Sequence, residues 1–417
     1  AKDRHLWGES YEEIINGPED IFRIQNRIAE SIAEELKAII TPEEKQLIEK
    51  VSTTSLTAYD FFQKGRDEHT KYWVDNNNSN ALKNAEIYYH EALHYDSAFA
   101  HAYTGLARVY WDKHYWEDIL SKDFLDSVLI LCDIALSYDD QLSEAYTIRG
   151  QYFNAIEKRE QAIKEFDKAI KFNPNDWMIY AFKGETYGSS GDVVKCIENL
   201  TKAASIYRGP LLPSILDRIA GIYREIGCME EAKNYITEAF KLDRDSIQYY
   251  WALANIEYCS ENYEDAIEFL EKVYALDTNN TNIHRAFGEF YMMTGNYVKT
   301  LEHLKKWLEK TESLSEDLLF GMHRVGWAYW QNGYKKQGEY YFNEQINYCN
   351  RMKELGRVYG GYSRIYYDLA GVYAFMGEKE KAYENLKIRN QELLIPDSWG
   401  LQLIKNDPLF DSLRDEP

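Results

Sequence analysis

Small, apolar and aromatic positions recur along this chain on a fixed beat. Gly150, Gly184, Ala220, Ala254 and Gly288 align with steps of 34, 36, 34 and 34 residues, and Gly326 and Ala370 continue the series with looser spacing. Around each, a large apolar or aromatic residue stands four places before and another about three after, and a second small residue follows twelve after. In the clearest unit, Ser143–Asp176, these are Tyr146, Phe153 and Ala162. The pattern predicts two helices per unit: small residues let the first approach the second closely, and large residues fill the space between pairs. Asn173-Pro174 closes the second helix, because the residue before proline is driven out of helical space.

Trp177–Gly209, Pro213–Arg244, Ile247–Asn280 and Thr281–Lys310 repeat the unit in register, and Leu319–Asn350 and Ser363–Gln391 repeat it loosely. Ala58–Ser97 and Ala100–Asp139 precede them, with insertions at Asn76–Asn80 and Tyr115–Asp123. Residues 1–50 leave the beat. Ile21, Ile24, Ile28, Ile32, Leu36 and Ile39 form one apolar stripe at helical spacing, and Thr41-Pro42-Glu43-Glu44 reads as a capping box that opens another helix. The period of about 34 residues and its occupied slots resemble the tetratricopeptide repeat (TPR). The resemblance implies an all-α fold: a right-handed TPR superhelix, or α-solenoid, of about nine helical pairs over 51–395. An N-terminal helical segment lies in 1–50 and a C-terminal cap in 396–417. Such arrays present a binding surface and carry no built-in chemistry.

Composition narrows the partners. The net charge of −21 opposes phosphate, so no nucleic acid is expected on this segment. No run of 18 apolar residues exists, so no membrane insertion is expected. The five cysteines lie far apart without a Cys-x-x-Cys pair, and several fall on packing positions.

Two stretches are more specific. His5-Leu6-Trp7-Gly8-Glu9-Ser10-Tyr11 is followed by Asp20-Ile21-Phe22-Arg23-Ile24-Gln25-Asn26-Arg27-Ile28-Ala29, and Ala58-Tyr59-Asp60-Phe61-Phe62-Gln63-Lys64-Gly65-Arg66 opens the first repeat. Together they resemble the junction between a TolB-like domain and a TPR array in bacterial AraC-type and CadC-like transcriptional regulators and some adenylate cyclases. The ending Asp407-Pro408-Leu409-Phe410-Asp411-Ser412-Leu413-Arg414 resembles the carboxyl end of the same group. The resemblance implies a cytoplasmic sensing region, or a periplasmic one if a transmembrane helix lies upstream, with an output domain before residue 1.

Candidate chemistry is sparse. His90-Glu91-Ala92-Leu93-His94 matches a zinc-protease helix motif, but it occupies the second helix of a repeat, where Ala92 and Leu93 serve packing. Gly188-Ser189-Ser190-Gly191 lacks the Lys-Ser/Thr of a phosphate loop and reads as an inter-helix turn. No catalytic set, metal or cofactor is expected. By the TPR resemblance, positions 2, 5, 9, 12 and 13 of each first helix line the inner groove. Counting them brings forward Arg224, Trp251, Asn255, Tyr258, Arg285, Glu289, Trp327 and Trp330 as ligand-binding residues, with Arg108, Trp111 and Tyr367 also in groove places. Aromatic faces beside Arg and Asn suit a peptide, a protein segment or an oligosaccharide. Trp251 stands where a chaperone-tail clamp needs lysine, which argues against that ligand. The expectation is therefore a non-catalytic sensing module that binds such a partner in its groove, with homodimerisation compatible. The alternative is a protein–protein scaffold without a small ligand.

Overall fold

Short polar side chains set many of the helix starts. The computed structural model describes residues 18–35, 50–74, 78–117, 124–311, 321–354, 362–392 and 405–414. In it Asn78, Asp176, Asp192, Asp245 and Asn280 each accept a hydrogen bond from a backbone N–H of the first turn that follows. Such caps satisfy donors that have no partner within the helix. Turns between the two helices of a pair carry a left-handed residue at 157, 191, 227, 261, 295, 333 and 377. Five of these are glycine, the residue that bears this conformation without strain; the other two are Glu157 and Glu261.

The described residues contain helix and no strand, so the fold is all-α. The chain divides into two compact units, 1–175 and 176–417. The first holds α1 (Pro18–Glu35) and three pairs: α2 (Leu56–Val74) with α3 (Ser79–Tyr95), α4 (Ala100–Asp112) with α5 (Leu125–Tyr138), and α6 (Ser143–Ala155) with α7 (Arg159–Phe172). α1 carries most of the isoleucine stripe, and its Phe22 meets Tyr59 of α2 edge-on at 5.3 Å. The predicted helix opening at Thr41 lies outside the described residues. A π-helical turn, Lys113–Glu117, marks the start of the Tyr115–Asp123 insertion.

The second unit holds six pairs: α8 (Trp177–Ser189) with α9 (Val193–Ile206), α10 (Leu212–Glu225) with α11 (Met229–Asp243), and α12 (Ser246–Cys259) with α13 (Tyr263–Leu276). They continue as α14 (Thr281–Met293) with α15 (Tyr297–Thr311), α16 (Met322–Gln331) with α17 (Lys335–Glu354), and α18 (Tyr362–Phe375) with α19 (Lys379–Glu392). A 3-10 turn, Pro408–Leu413, closes it. Nine helical pairs thus stand among the described residues. The close approach at the aligned position is real: a Cβ on Gly150 would lie 2.5 Å from the Phe166 ring, and one on Gly288 2.6 Å from Leu304. The core of the C-terminal pairs is continuous from Ala254 to Phe410.

Candidate functional site

The inner slots follow from the register. With the aligned small residue counted as position 8, positions 5, 9 and 12 are Asp217, Gly221 and Arg224 on α10. On α12 they are Trp251, Asn255 and Tyr258, and on α18 Tyr367, Gly371 and Ala374. In the repeat pattern these are the places assigned to the inner groove.

In the earlier pairs of the second unit the slots border an open cavity of about 360 Å³. Its lining includes Glu185 and Gly188 of α8 and Asp217, Arg218, Gly221 and Arg224 of α10. Arg218 pairs with Glu185, and Gln248 donates to Asp217 at 3.2 Å. Burial raises the Asp217 carboxyl above its ordinary range, against the pull of Arg224 and the Gln248 hydrogen bond. The Arg224 Nε has no hydrogen-bond partner. Nothing within 4 Å would meet a Cβ on Gly221. The cavity therefore offers a guanidinium donor, a carboxylate acceptor and room between them, which suits the alternating polarity of a peptide. Cys196 on its wall is an unreactive thiol, pushed up to about 11 by burial.

In the last pairs the slots are filled by the chain's own tail. Asp407 is 0 % exposed and accepts from the Tyr367 hydroxyl at 2.7 Å. Arg324 Nη2 lies 3.5 Å from the same carboxylate oxygen, and Arg324 Nε lies 3.8 Å from Glu289. Burial works against the Arg324 charge, and Asp407 and Glu289 more than offset it, so its pKa lies above the ordinary value. Burial first, then the Asp407 charge, holds the Tyr367 phenol well above its usual pKa, which keeps it a donor. Leu409 and Phe410 are buried against α18 beside Gly371, and Phe410 packs on Tyr367 at 5.2 Å. Ser412 donates to the Ala374 carbonyl at 2.8 Å, and Asn406 donates to Glu261 at 3.0 Å. The tail caps the last pair by lying along inner-slot residues and reaching back to the α12–α13 turn.

The sequence-predicted residues separate accordingly. Arg224 lines the open cavity. Trp251 is half-buried against the C-terminal core, and Asn255 donates to the Trp251 carbonyl at 3.0 Å. Arg285 and Glu289 form a 4.0 Å pair, with Glu289 also serving Arg324. The expected exposure of two aromatic faces, Tyr258 and Trp327, is corrected, and Trp330 is partly buried. Tyr258 is buried and stacks on Phe290 at 4.4 Å. Trp327 is 1 % exposed and meets Tyr297 edge-on at 5.4 Å. Trp330 packs edge-on against Phe375 at 5.7 Å. Large rings at these places are drawn into the joint between pairs, where burial gains more than solvent contact. Part of the chemistry rests on residues outside the counted slots, Arg218 in one stretch and Arg324 and Asp407 in the other; Glu185 and Asp217 hold counted slots, positions 9 and 5, but were not singled out. The available signal was the register itself, since Arg218 and Arg324 both occupy position 6.

Elsewhere, Ala92 is fully buried while His90 and His94 are exposed on α3, the arrangement of a packing helix. In the first unit, groove-place Arg108 pairs with Glu144 at 2.8 Å, and His69 meets Asp112 at 2.6 Å.

A family model described as tetratricopeptide repeat matches residues 143–176 and 213–246. Over 169 residues the chain is 24% identical to anaphase-promoting complex subunit 3 of Schizosaccharomyces pombe, covering 40% of this chain and 25% of that protein. The chain thus spans about a quarter of the length of that curated relative. Among solved structures, the APC/C hetero-tetramer Cut9-Hcn1 is similar at 15% identity, 72% of this chain, 58% of that one and a TM-score of 0.44. A tetratricopeptide repeat protein from Parabacteroides merdae is similar at 13% identity, 80% of this chain, 99% of that one and a TM-score of 0.38. The chain carries TPR repeats, an architecture suited to protein–protein interaction. No helix among the described residues is long and apolar enough to cross a membrane.

Proposed function

We propose that this chain is a non-catalytic peptide-binding module, the sensing region of a bacterial transcriptional regulator, with its ligand site at the open cavity of α8, α10 and α12. The observation that carries the binding site is Arg224, whose side chain lines an open cavity together with Glu185, Asp217 and Arg218. A peptide carbonyl or carboxylate pairs with the guanidinium groups of the cavity wall, and Asp217 accepts from a peptide N–H. Burial of Tyr258 and Trp327 takes two of the predicted stacking faces out of reach, which favours a peptide over an oligosaccharide. The regulatory role rests on the resemblance at His5–Tyr11, Asp20–Ala29 and Ala58–Arg66; the first of these stretches lies outside the described residues. In that role the module works in the cytoplasm, and a ligand that binds one arrangement of the pairs better than another biases an upstream output domain.

The test is selection of a random dodecapeptide library on the immobilised full chain, followed by titration of the selected peptides. Arg224→Ala is expected to weaken them about ten-fold or more, the loss typical of an anchoring contact. Selected peptides that bind Arg224→Ala and Trp251→Ala as well as the original chain would move the site elsewhere.

A further inference from the structure

We propose that the seat of the tail is itself a peptide-recognition site, specific for an aspartate followed two and three residues later by an aliphatic and an aromatic side chain, with residues 406–414 as its occupant in cis. The proposal extends the binding-module reading above and rests on it, but at a different place in the same unit.

The occupant carries its own order. Asp407 Oδ1 accepts from Leu409 N at 2.9 Å, and the Asp407 carbonyl accepts from Phe410 N at 3.0 Å and from Arg414 Nη2 at 2.9 Å. Arg414 also pairs with Asp411 at 2.8 Å. A segment that forms its turn from its own groups loses little further entropy when it docks. Its anchors are three: the Asp407 carboxylate, and the Leu409 and Phe410 side chains, each about 1 % exposed or less.

The receiving side has the parts of a specific site. Tyr367 and Arg324 come from two different helices and converge on one carboxylate. Gly371 lies directly under the apolar anchors: a Cβ there would be in van der Waals contact, 3.4 Å from Leu409 Cδ1 and Phe410 Cζ, and a longer side chain would displace them.

The same framework also exists without a tail. Arg218 and Arg324 both sit at position 6, and each pairs with a glutamate at position 9 of the preceding pair, Glu185 and Glu289. Around the open cavity the Arg218 side chain is 43% exposed with its glutamate partner in place. An Arg–Glu pair of this kind therefore stands in the fold with no second carboxylate paired to its arginine among the described residues. Asp407 adds to a pair that is already made, which is the relation of a ligand to its site.

The experiment uses the full chain carrying Asp407→Ala and Phe410→Ala, which loosens the cis occupant, and a fluorescein-labelled synthetic peptide of residues 405–414. Fluorescence polarisation is expected to show at least about ten-fold tighter binding to the double variant than to the original chain, whose seat is filled. The peptide carrying Asp407→Asn and Phe410→Ala is expected to bind neither. Circular dichroism and a thermal melt accompany the titration. A folded double variant that ignores the peptide would overturn the proposal, and so would a scrambled peptide that binds equally well. Loss of cooperative folding in the double variant would overturn it too, because the tail would then be core and not ligand. Adding Arg224→Ala to the double variant should leave tail-peptide binding unchanged. Failure at the cavity and failure at the tail seat are thus read separately.

Discussion

Asp217, Gly221 and Arg224 hold the same three repeat positions as Tyr367, Gly371 and Ala374, yet the first set borders open space and the second is covered. Both stretches are built on the same pair packing and the same Arg–Glu contact between neighbouring pairs. What differs is the occupant. The covered set pairs a phenol donor with a glycine floor and receives an acidic, aromatic segment. The open set keeps charges of both signs, which satisfy one another in part and leave one guanidinium nitrogen without a partner. Inner-slot residues therefore record what docks on them, while the aligned small position records only how the two helices of a pair touch.

The sharpest way to break this contrast is to remove the arginine from each stretch. Arg324→Leu leaves Asp407 and part of Glu289 as buried carboxylates without their cation. It should cost about 3 kcal/mol, the low end for breaking a buried pair, since the tail can lift away. Arg224→Leu removes a half-buried side chain whose Nε makes no hydrogen bond and should cost less, about 1 kcal/mol. Urea melts of both variants decide this, and equal losses would mean that the open cavity is as integral to stability as the covered groove.

Filling the shared glycine position is the next test. Gly371→Leu places a side chain where Leu409 and Phe410 sit and should cost about 2 kcal/mol by overpacking or by expelling the tail. Limited proteolysis should then release the last residues sooner than in the original chain.

Acid should separate the stretches as well. His303 packs on Phe287 and Tyr291 in the C-terminal core, and burial, then His284 and Lys306, push its pKa down to about 4 from 6.5. The unfolded chain takes up this proton first. The stability involved is thus present above about pH 6.5 and is lost as the pH falls from 6.5 toward 4. Asp217 has the opposite sign: its pKa is raised, so the folded state holds the proton more firmly and falling pH favours the open stretch. Segment-resolved hydrogen exchange at pH 6.5 and 4.5 should show α14 and α15 loosening before α10, and His303→Phe should flatten the difference.

The smallest expected effect is a gain. Gly221→Ala meets nothing within 4 Å and should stabilise α10 by about 0.5–1 kcal/mol by reducing the freedom of the unfolded chain. A loss in the thermal melt would mean that the cavity wall is tighter than its geometry.

The helical pairs, their order and their register were legible in the residues alone. Those features come from contacts within a few tens of residues: Gly150 against Phe166, Asp176 capping its own helix, Gly227 turning α10 into α11. Each repeats because each pair solves the same local packing problem, and periodicity makes such solutions visible. The groove positions were legible as places, and Arg224 does face open space. Their contents were not, because a ring at position 9 or 12 can point into the groove or pack at the joint with a neighbouring pair. Trp327 and Tyr258 took the second course. That Asp407 meets Arg324 and Tyr367, residues 83 and 40 places earlier in the chain, is a contact made only by folding. A contact of that span leaves no periodic trace. It depends on one charge being buried where another already waits, and that is settled when the whole unit has folded.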